Sequence, residues 1–150
     1  MISIVIPVYN AAAFLPHMLQ SIIRQSYKDI EILLINDGST DNSSSICHDY
    51  AGRYNFIHVF DRQNHGPAAT RNFGMQQASG EFIWFMDSDD ELEKDALQCA
   101  IEKQRAYDAD VVIGGMNFCF TEENRVVHKS IPYTVVFDAM DFPQAKSKLS

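Results

Sequence analysis

The chain has 150 residues, 46% of them hydrophobic and 21% charged, with a net charge of −8. That length and composition suit one globular domain with a sizeable core. An acidic chain without a basic patch excludes double-stranded nucleic acid as a partner. No stretch reaches the ~18 apolar residues of a membrane span. Residues 1–7 carry no charged leader, so no signal peptide is read and the expected location is cytoplasmic, at most peripheral at a membrane.

In chain order, residues 2–9 form a short apolar run stopped by Pro7 and Asn10, and read as a buried strand. Leu15, Met18, Leu19, Ile22 and Ile23 then fall at i, i+3, i+4, i+7 and i+8, one face of an amphipathic helix. Residues 30–35 are a second buried strand, running into Asn36-Asp37-Gly38. Asp41 or Asn42 can cap a second helix to about Tyr54. Residues 56–60 are a third strand. Pro67 suits the first position of a third helix, which should run to about Ala78 and stop at Gly80. Residues 82–86 are a fourth strand, apolar enough to be buried and rigid at its end. Residues 93–105 read as a helix with Ala96, Leu97, Ala100 and Ile101 inward, and residues 110–114 as a fifth strand. Strands alternating with helices imply an α/β fold, a mostly parallel sheet with helices on both faces. Past Met116 the character changes: residues 116–120 and 126–129 can form a hairpin around 121–124, and residues 131–150 show no clear element.

The cysteines, Cys47, Cys99 and Cys119, match no zinc spacing and no disulfide framework, and read as idle thiols. His17 and His48 fall in helices, His58 and His128 in strands, where packing or surface roles are the ordinary expectation.

Four segments carry chemistry. The first strand ends Pro7-Val8-Tyr9-Asn10, offering a ring to a planar base; the plain alternative is a strand stop with an Asn helix cap. The second ends at Asp37-Gly38, where a carboxylate can accept from an N–H such as a uracil imide; the plain alternative is an Asp-Gly turn. The loop at residues 61–66 opens a helix, a natural anion site, with Arg71 and Asn72 one turn in. The fourth strand runs into Asp87-Ser88-Asp89-Asp90. Carboxylates two apart on extended backbone share a side and can hold a hard divalent cation or a ribose hydroxyl. The alternative is helix capping, because residues 87–95 hold six acids against one Lys. In open α/β sheets ligands bind outside the strands' carboxyl ends, so convergence of Asp37, Arg71, Asp87 and Asp89 favours a shared site. An acidic chain that binds an anionic ligand needs a cation between them.

Taken in order, Pro7-Val8-Tyr9-Asn10, Gln25-Ser26-Tyr27, Asn36-Asp37-Gly38-Ser39-Thr40-Asp41, Asn64-His65-Gly66 with Arg71-Asn72-Phe73-Gly74, and Asp87-Ser88-Asp89-Asp90 resemble the family 2 glycosyltransferases. These are mostly inverting enzymes of the GT-A fold, a Rossmann-like architecture. The resemblance runs through residues 2–115. It implies a nucleotide-sugar donor, often UDP-linked, a divalent Mg²⁺ or Mn²⁺, and a saccharide or lipid-linked saccharide acceptor, as in polysaccharide biosynthesis. By matching position, Pro7, Tyr9 and Asp37 resemble base contacts. Asn64, Gly66 and Arg71 resemble parts of the nucleotide pocket. Asp87, with Ser88 beside it, resembles the ribose-side carboxylate, and Asp89 the metal ligand of a D-x-D motif.

Two departures stand out. Ala11-Ala12 occupies a place where the family often has an acid. The family's general base falls well beyond the carboxylate motif, past Ser150, and Glu122, Glu123, Asp138 and Asp141 lack its context. The expectation is therefore a donor-binding domain at 1–115 and a hairpin and tail at 116–150 that begin the acceptor region. Such a chain binds donor without transferring sugar. Uncovered apolar residues at Phe118, Phe120, Val135, Val136 and Phe137 would lead to self-association or a poorly ordered tail. The alternatives are a catalytically idle nucleotide-sugar-binding module and a nucleotidyltransferase, whose Gly-rich first loop with Arg is absent here. A dehydrogenase fits less well still, for no G-x-G-x-x-G follows the first strand.

Overall fold

The computed structural model describes residues 1–120, 125–129 and 136–137. They fall into two compact units, Met1–Asp95 and Ala96–Ser150.

The first unit alternates β1 (Ile2–Val8), α1 (Leu15–Ile23), β2 (Ile30–Asp37), α2 (Ser43–Arg53), β3 (Ile57–Arg62), α3 (Pro67–Gln77) and β4 (Phe82–Phe85). All four strands are parallel, in the order β3-β2-β1-β4. Moving from β1 to β2 to β3 steps one way across the sheet, and moving to β4 steps back past β1. Right-handed crossovers therefore place α1 and α2 on one face and α3 on the other. Every residue of β2 is buried, as expected of a central strand covered on both faces. Each buried Ile, Leu or Val of that layer contributes roughly 1.5–3 kcal/mol.

The helices form where the apolar spacing places them. Leu15, Met18, Leu19 and Ile22 of α1 are buried. On the opposite face Val5, Leu33 and Ile35 pack with Phe60 and Phe73. There α3 lies so close that a Cβ on Gly74 would come within 2.4 Å of a Val5 methyl, so only glycine fits. Pro7 is tolerated inside a central strand for a local reason. The Val5 carbonyl accepts from Met86 N at 3.2 Å, so Val5 faces β4. Pro7, two residues on, faces the same way but past the end of β4 at Phe85. Its missing N–H leaves no ladder bond unmade.

Two hydrogen bonds tie the segment after β4 to α1. Gln25, 2% exposed, donates to the Glu93 carbonyl at 2.9 Å. Leu92 N donates to Ser21 Oγ at 3.0 Å. At the opposite edge of the sheet from the strand ends, Glu31 Oε1 accepts from Ser3 Oγ, Ser79 N and Ser79 Oγ at 2.5, 2.7 and 2.9 Å. This carboxylate fastens the α3–β4 connection to the central strands.

In the second unit α4 spans Ala96–Tyr107, with Leu97 and Ile101 buried. β5 (Val111–Val112) pairs antiparallel with β8 (Val136–Phe137), and β6 (Met116–Phe120) pairs antiparallel with β7 (Arg125–Lys129).

Three expectations need correction. The fourth strand is not fully buried: Ile83 is 37% and Phe85 47% exposed. Among the described residues β4 pairs with β1 alone and so forms an edge, which apolar composition does not reveal. The fifth strand is two residues long and belongs to a separate antiparallel pair, joining residues 136–137, where no element was read. The fourth helix begins three residues late, after Asp95, whose φ of 62° lies outside the helical region. The 116–129 hairpin is present. Its turn at 121–124, the acids Glu122, Glu123, Asp138 and Asp141, and the side chains of Phe118, Phe120, Val135, Val136 and Phe137 lie outside the described residues. No helix among the described residues is long and apolar enough to cross a membrane.

Candidate functional site

The strand order reverses between β1 and β4, and in open parallel sheets the crevice at the carboxyl side of that reversal is where ligands bind. The first unit presents three loops there. Tyr9, directly past β1, is 52% exposed. Asp37 is the last residue of β2 and only 4% exposed. Asp87 stands just past β4, after the buried Met86.

Asp37 is engaged from within the protein. Its Oδ1 accepts from His65 N at 3.0 Å and its Oδ2 from Gly66 N at 2.9 Å. Gly66 is the residue before α3, so the carboxylate fixes the start of that helix against β2. A buried carboxylate must have such donors to be stable. Each oxygen keeps a second lone pair, which leaves capacity for an outside N–H. Gly38 follows with a φ of 75°, and a Cβ there would lie 2.9 Å from Asn64 N. The β2 turn and the 63–66 loop therefore approach too closely for any other residue. Asn64 itself is exposed.

One turn into α3, Thr70 Oγ1 donates to the Gly66 carbonyl at 2.8 Å. Arg71 then reaches across to β4 and forms an ion pair with Asp87. This pair joins two of the expected nucleotide contacts before any ligand arrives. The chain after Asp87 turns tightly, with Asp90 N donating to the Asp87 carbonyl at 3.2 Å. Ser88 is half-buried, whereas Asp89 and Asp90 face solvent. Partial burial, then the charges of Asp89 and Asp87, push the Asp90 carboxyl above its ordinary value. Asp87, Asp89 and Asp90 lie too far before α4, which begins at Ala96, to cap it; of the cluster Asp95 alone stands directly before that helix.

The described residues contain no group of three side chains able to hold a metal ion by themselves. That arrangement still fits a divalent cation carried in with a diphosphate. Asp89, exposed beside the Arg71–Asp87 pair, would be the protein's ligand to such a cation, and phosphate oxygens would complete the shell of a hard cation that prefers oxygen ligands.

The site's supports were less visible in the sequence. Asn10 does not cap α1, whose first flanking residue is Phe14. It bonds instead to the 39–41 loop. Asn36 donates to Asp61 Oδ1 at 2.7 Å, and Asp61 also accepts from Ser44 Oγ at 3.1 Å and contacts His48 Nε2 at 2.7 Å. The Asn36 amide first, then His48 and Ser44, hold the Asp61 carboxyl below its usual range despite partial burial. Asparagine's tolerance of left-handed backbone was the one local signal available for Asn10. Cys47 is buried, and burial, with the Asp61 charge, pushes its thiol to about 12. Cys99 is exposed, and neither thiol is in a disulfide. A cavity of about 730 Å³ runs along α1 between Pro16, Gln20, Arg24 and Lys94. Its lining includes Glu91, Leu92 and Lys94 farther along the loop after β4, but not Tyr9, Asp37, Arg71 or Asp87, which lie on an open shelf.

The sequence matches the model of Glycosyl transferase family 2 over residues 3–148. The chain belongs to that family. It is 41% identical over 113 residues to glycosyltransferase GlyA of Streptococcus pneumoniae, covering 75% of this chain and 16% of that protein. It is 35% identical over 147 residues to an uncharacterized glycosyltransferase of Haemophilus influenzae, covering 95% of this chain and 59% of that one. Among solved structures, TarS 1-349 of S. aureus in complex with UDP-GlcNAc superposes with a TM-score of 0.68 at 31% identity. That match covers 73% of this chain and 32% of the TarS chain. The chain thus spans between about a sixth and three fifths of the length of these curated relatives. As a family 2 member it keeps the α/β sheet and the ordered motifs of residues 2–90. Its Asp37, Arg71 and Asp87 are tied together through α3.

Proposed function

We propose that this family 2 chain binds a nucleotide-diphosphate sugar, UDP-linked, for transfer with inversion to the hydroxyl of a saccharide or lipid-linked saccharide. One observation carries the reading. Asp37, the start of α3, Arg71 and Asp87 form a connected set along the carboxyl edge of the sheet, at its point of reversal. The similarity to a TarS fragment solved with UDP-GlcNAc supports uridine as the base.

In this reading the base lies between the Tyr9 ring and Asp37, near Pro7, with the second lone pairs of Asp37 open to its imide. Asn64 and Gly66 line the nucleotide from the α3 side. Arg71 and the first-turn N–H groups of α3 are positive partners for phosphate. Asp87 and Ser88 lie on the ribose side, and Asp89 is the protein's ligand to the cation. A bound Mg²⁺ or Mn²⁺ supplies Lewis-acid neutralisation of the diphosphate leaving group. The acceptor hydroxyl attacks the anomeric carbon from the opposite side and gives its proton to a general base, a role no described residue is assigned.

Calorimetric titration of UDP, with Mn²⁺ and with EDTA, tests the proposal. The expected result is UDP binding that Mn²⁺ strengthens, with the strengthening lost in Asp89→Ala and the metal-free affinity retained. UDP affinity insensitive to both EDTA and Asp89→Ala would remove the metal role. Absence of UDP binding in the wild type would remove the donor reading.

A further inference from the structure

The strand ladder ends before the site begins. β1 and β2 stay in register up to Val8 opposite Asn36. Tyr9 on one strand and Gly38 on the other lie beyond the last ladder pair, so the ladder does not fix the gap between them. Asn10 closes that gap. Its φ is 50°, in the left-handed region. Asparagine tolerates this conformation because its short side chain bonds locally. Asn10 Oδ1 accepts from Thr40 N at 2.8 Å, from Asp41 N at 3.3 Å and from Thr40 Oγ1 at 3.3 Å. Its own N–H donates to Ser39 Oγ at 3.1 Å. The facing loop reciprocates: Ser43 Oγ accepts from Ala11 N at 2.8 Å, and Asp41 Oδ2 from Ala12 N at 3.1 Å. The 38–41 loop is braced from behind as well, since Asn36 Oδ1 accepts from Ser39 N at 3.2 Å.

Asn10 and Thr40 are themselves exposed, so the bonds centred on Asn10 add little to the core. What they set is the relative placement of two loop tips. We propose that Asn10 is a positioning residue for nucleotide recognition: it clamps the β1–α1 loop to the β2–α2 loop, so that the Tyr9 ring and Asp37 hold a preformed gap for a planar base. It acts through its neighbours and does not touch the ligand. The inference rests on the donor reading above and adds to it a residue outside the ligand contacts. Preformed loops need no ordering when the nucleotide enters, and that saving appears as affinity.

The experiment compares Asn10→Gly, Asn10→Ala and Asn10→Asp, using UMP, and UDP with and without Mn²⁺, as probes. Glycine keeps the left-handed backbone and loses the acceptor. Its expected effect is an affinity loss of about tenfold for both UMP and UDP, the scale of one net hydrogen bond. Alanine, which also resists a positive φ, should lose more. Aspartate keeps both the acceptor and the tolerance of that φ, and should bind within about threefold of wild type, less than one hydrogen bond's worth. The ratio of UDP affinities with and without Mn²⁺ should be unchanged in all folded variants, because Asp89 lies on a different loop. A general loss of structure would be seen by circular dichroism and would not spare that ratio. A folded Asn10→Gly chain that binds UDP like wild type overturns the proposal, as does Asn10→Asp behaving like glycine. Failure of Asn10→Gly to fold, seen by circular dichroism, also overturns it, since the clamp would then be needed for the fold itself. A wild type that binds no UDP takes down the donor reading, a result distinct from any difference among variants.

Discussion

Asp37→Asn tests whether one carboxylate holds two roles. In the nucleotide-free chain each carboxylate oxygen accepts one backbone N–H, from His65 and from Gly66. Bonds to a charged acceptor are worth roughly 1.5–3 kcal/mol each. Asparagine offers one oxygen and one NH₂ in the same space. One N–H keeps its acceptor, and the other meets a donor. At a position 4% exposed water cannot easily intervene. The expected loss is therefore about 2–3 kcal/mol of folding free energy, one charge-assisted bond plus a donor left facing a donor. Natural domains hold about 5–15 kcal/mol in reserve, so the variant should fold. Urea unfolding reads the loss as a lower midpoint at unchanged slope. Amide exchange should quicken at His65 and Gly66 before any global opening. UDP affinity should fall too, because the same bonds set the start of α3 and thereby Arg71. If Asp37 served the base alone, the free chain would keep its urea midpoint and only UDP binding would suffer. A wild-type midpoint together with unchanged exchange at His65 and Gly66 would refute the internal tie.

Two further predictions concern charge and pH. Burial pushes the Glu31 carboxyl up, but the bonds from Ser3, Ser79 and Gly80 outweigh it and leave the group below its ordinary value. The stability it adds is thus complete above the unfolded carboxylate pKa and is lost as pH falls through the folded value. Glu31→Gln should cost about 2 kcal/mol at neutral pH, and urea midpoints of variant and wild type should converge in acid; parallel midpoints across that range would count against the carboxylate. Asp90 has the opposite sign, being raised by burial, Asp89 and Asp87, so its ionisation lowers stability as pH rises through the folded value. Asp90→Asn should raise stability at neutral pH by about a few tenths of a kcal/mol, as for exposed charges, seen as a higher urea midpoint, and leave it unchanged in acid; an equal gain at both would point to another cause.

What the sequence made legible follows from how far each determinant lies along the chain. The strands β1 to β3 and the helices between them are written locally, in apolar runs and in the spacing of Leu15, Met18, Leu19 and Ile22. The exposure of β4 is not. Ile83 and Phe85 are as apolar as the residues of β2, and only the absence of a second neighbouring strand among the described residues separates them. That is a fact about pairing, set by residues distant in sequence. The site divides along the same line. Side chains proposed to face a ligand, Arg71 early in α3 and Asp87 and Asp89 just past β4, can be picked out by residue type near the strand ends. Those that hold the site together act through backbone groups about thirty residues away: Asp37 on the amides of His65 and Gly66, Asn10 on those of Thr40 and Asp41. A backbone N–H has no residue type, so no motif can name it as a partner. Asp37 shows the consequence. Its residue type suggests an acceptor for a base, and its surroundings show an acceptor already used twice. Both statements hold only because a carboxylate has more lone pairs than the two amides consume. A site of this kind places its most informative acid where loop geometry and ligand recognition depend on the same atoms, so a substitution there cannot alter one without the other.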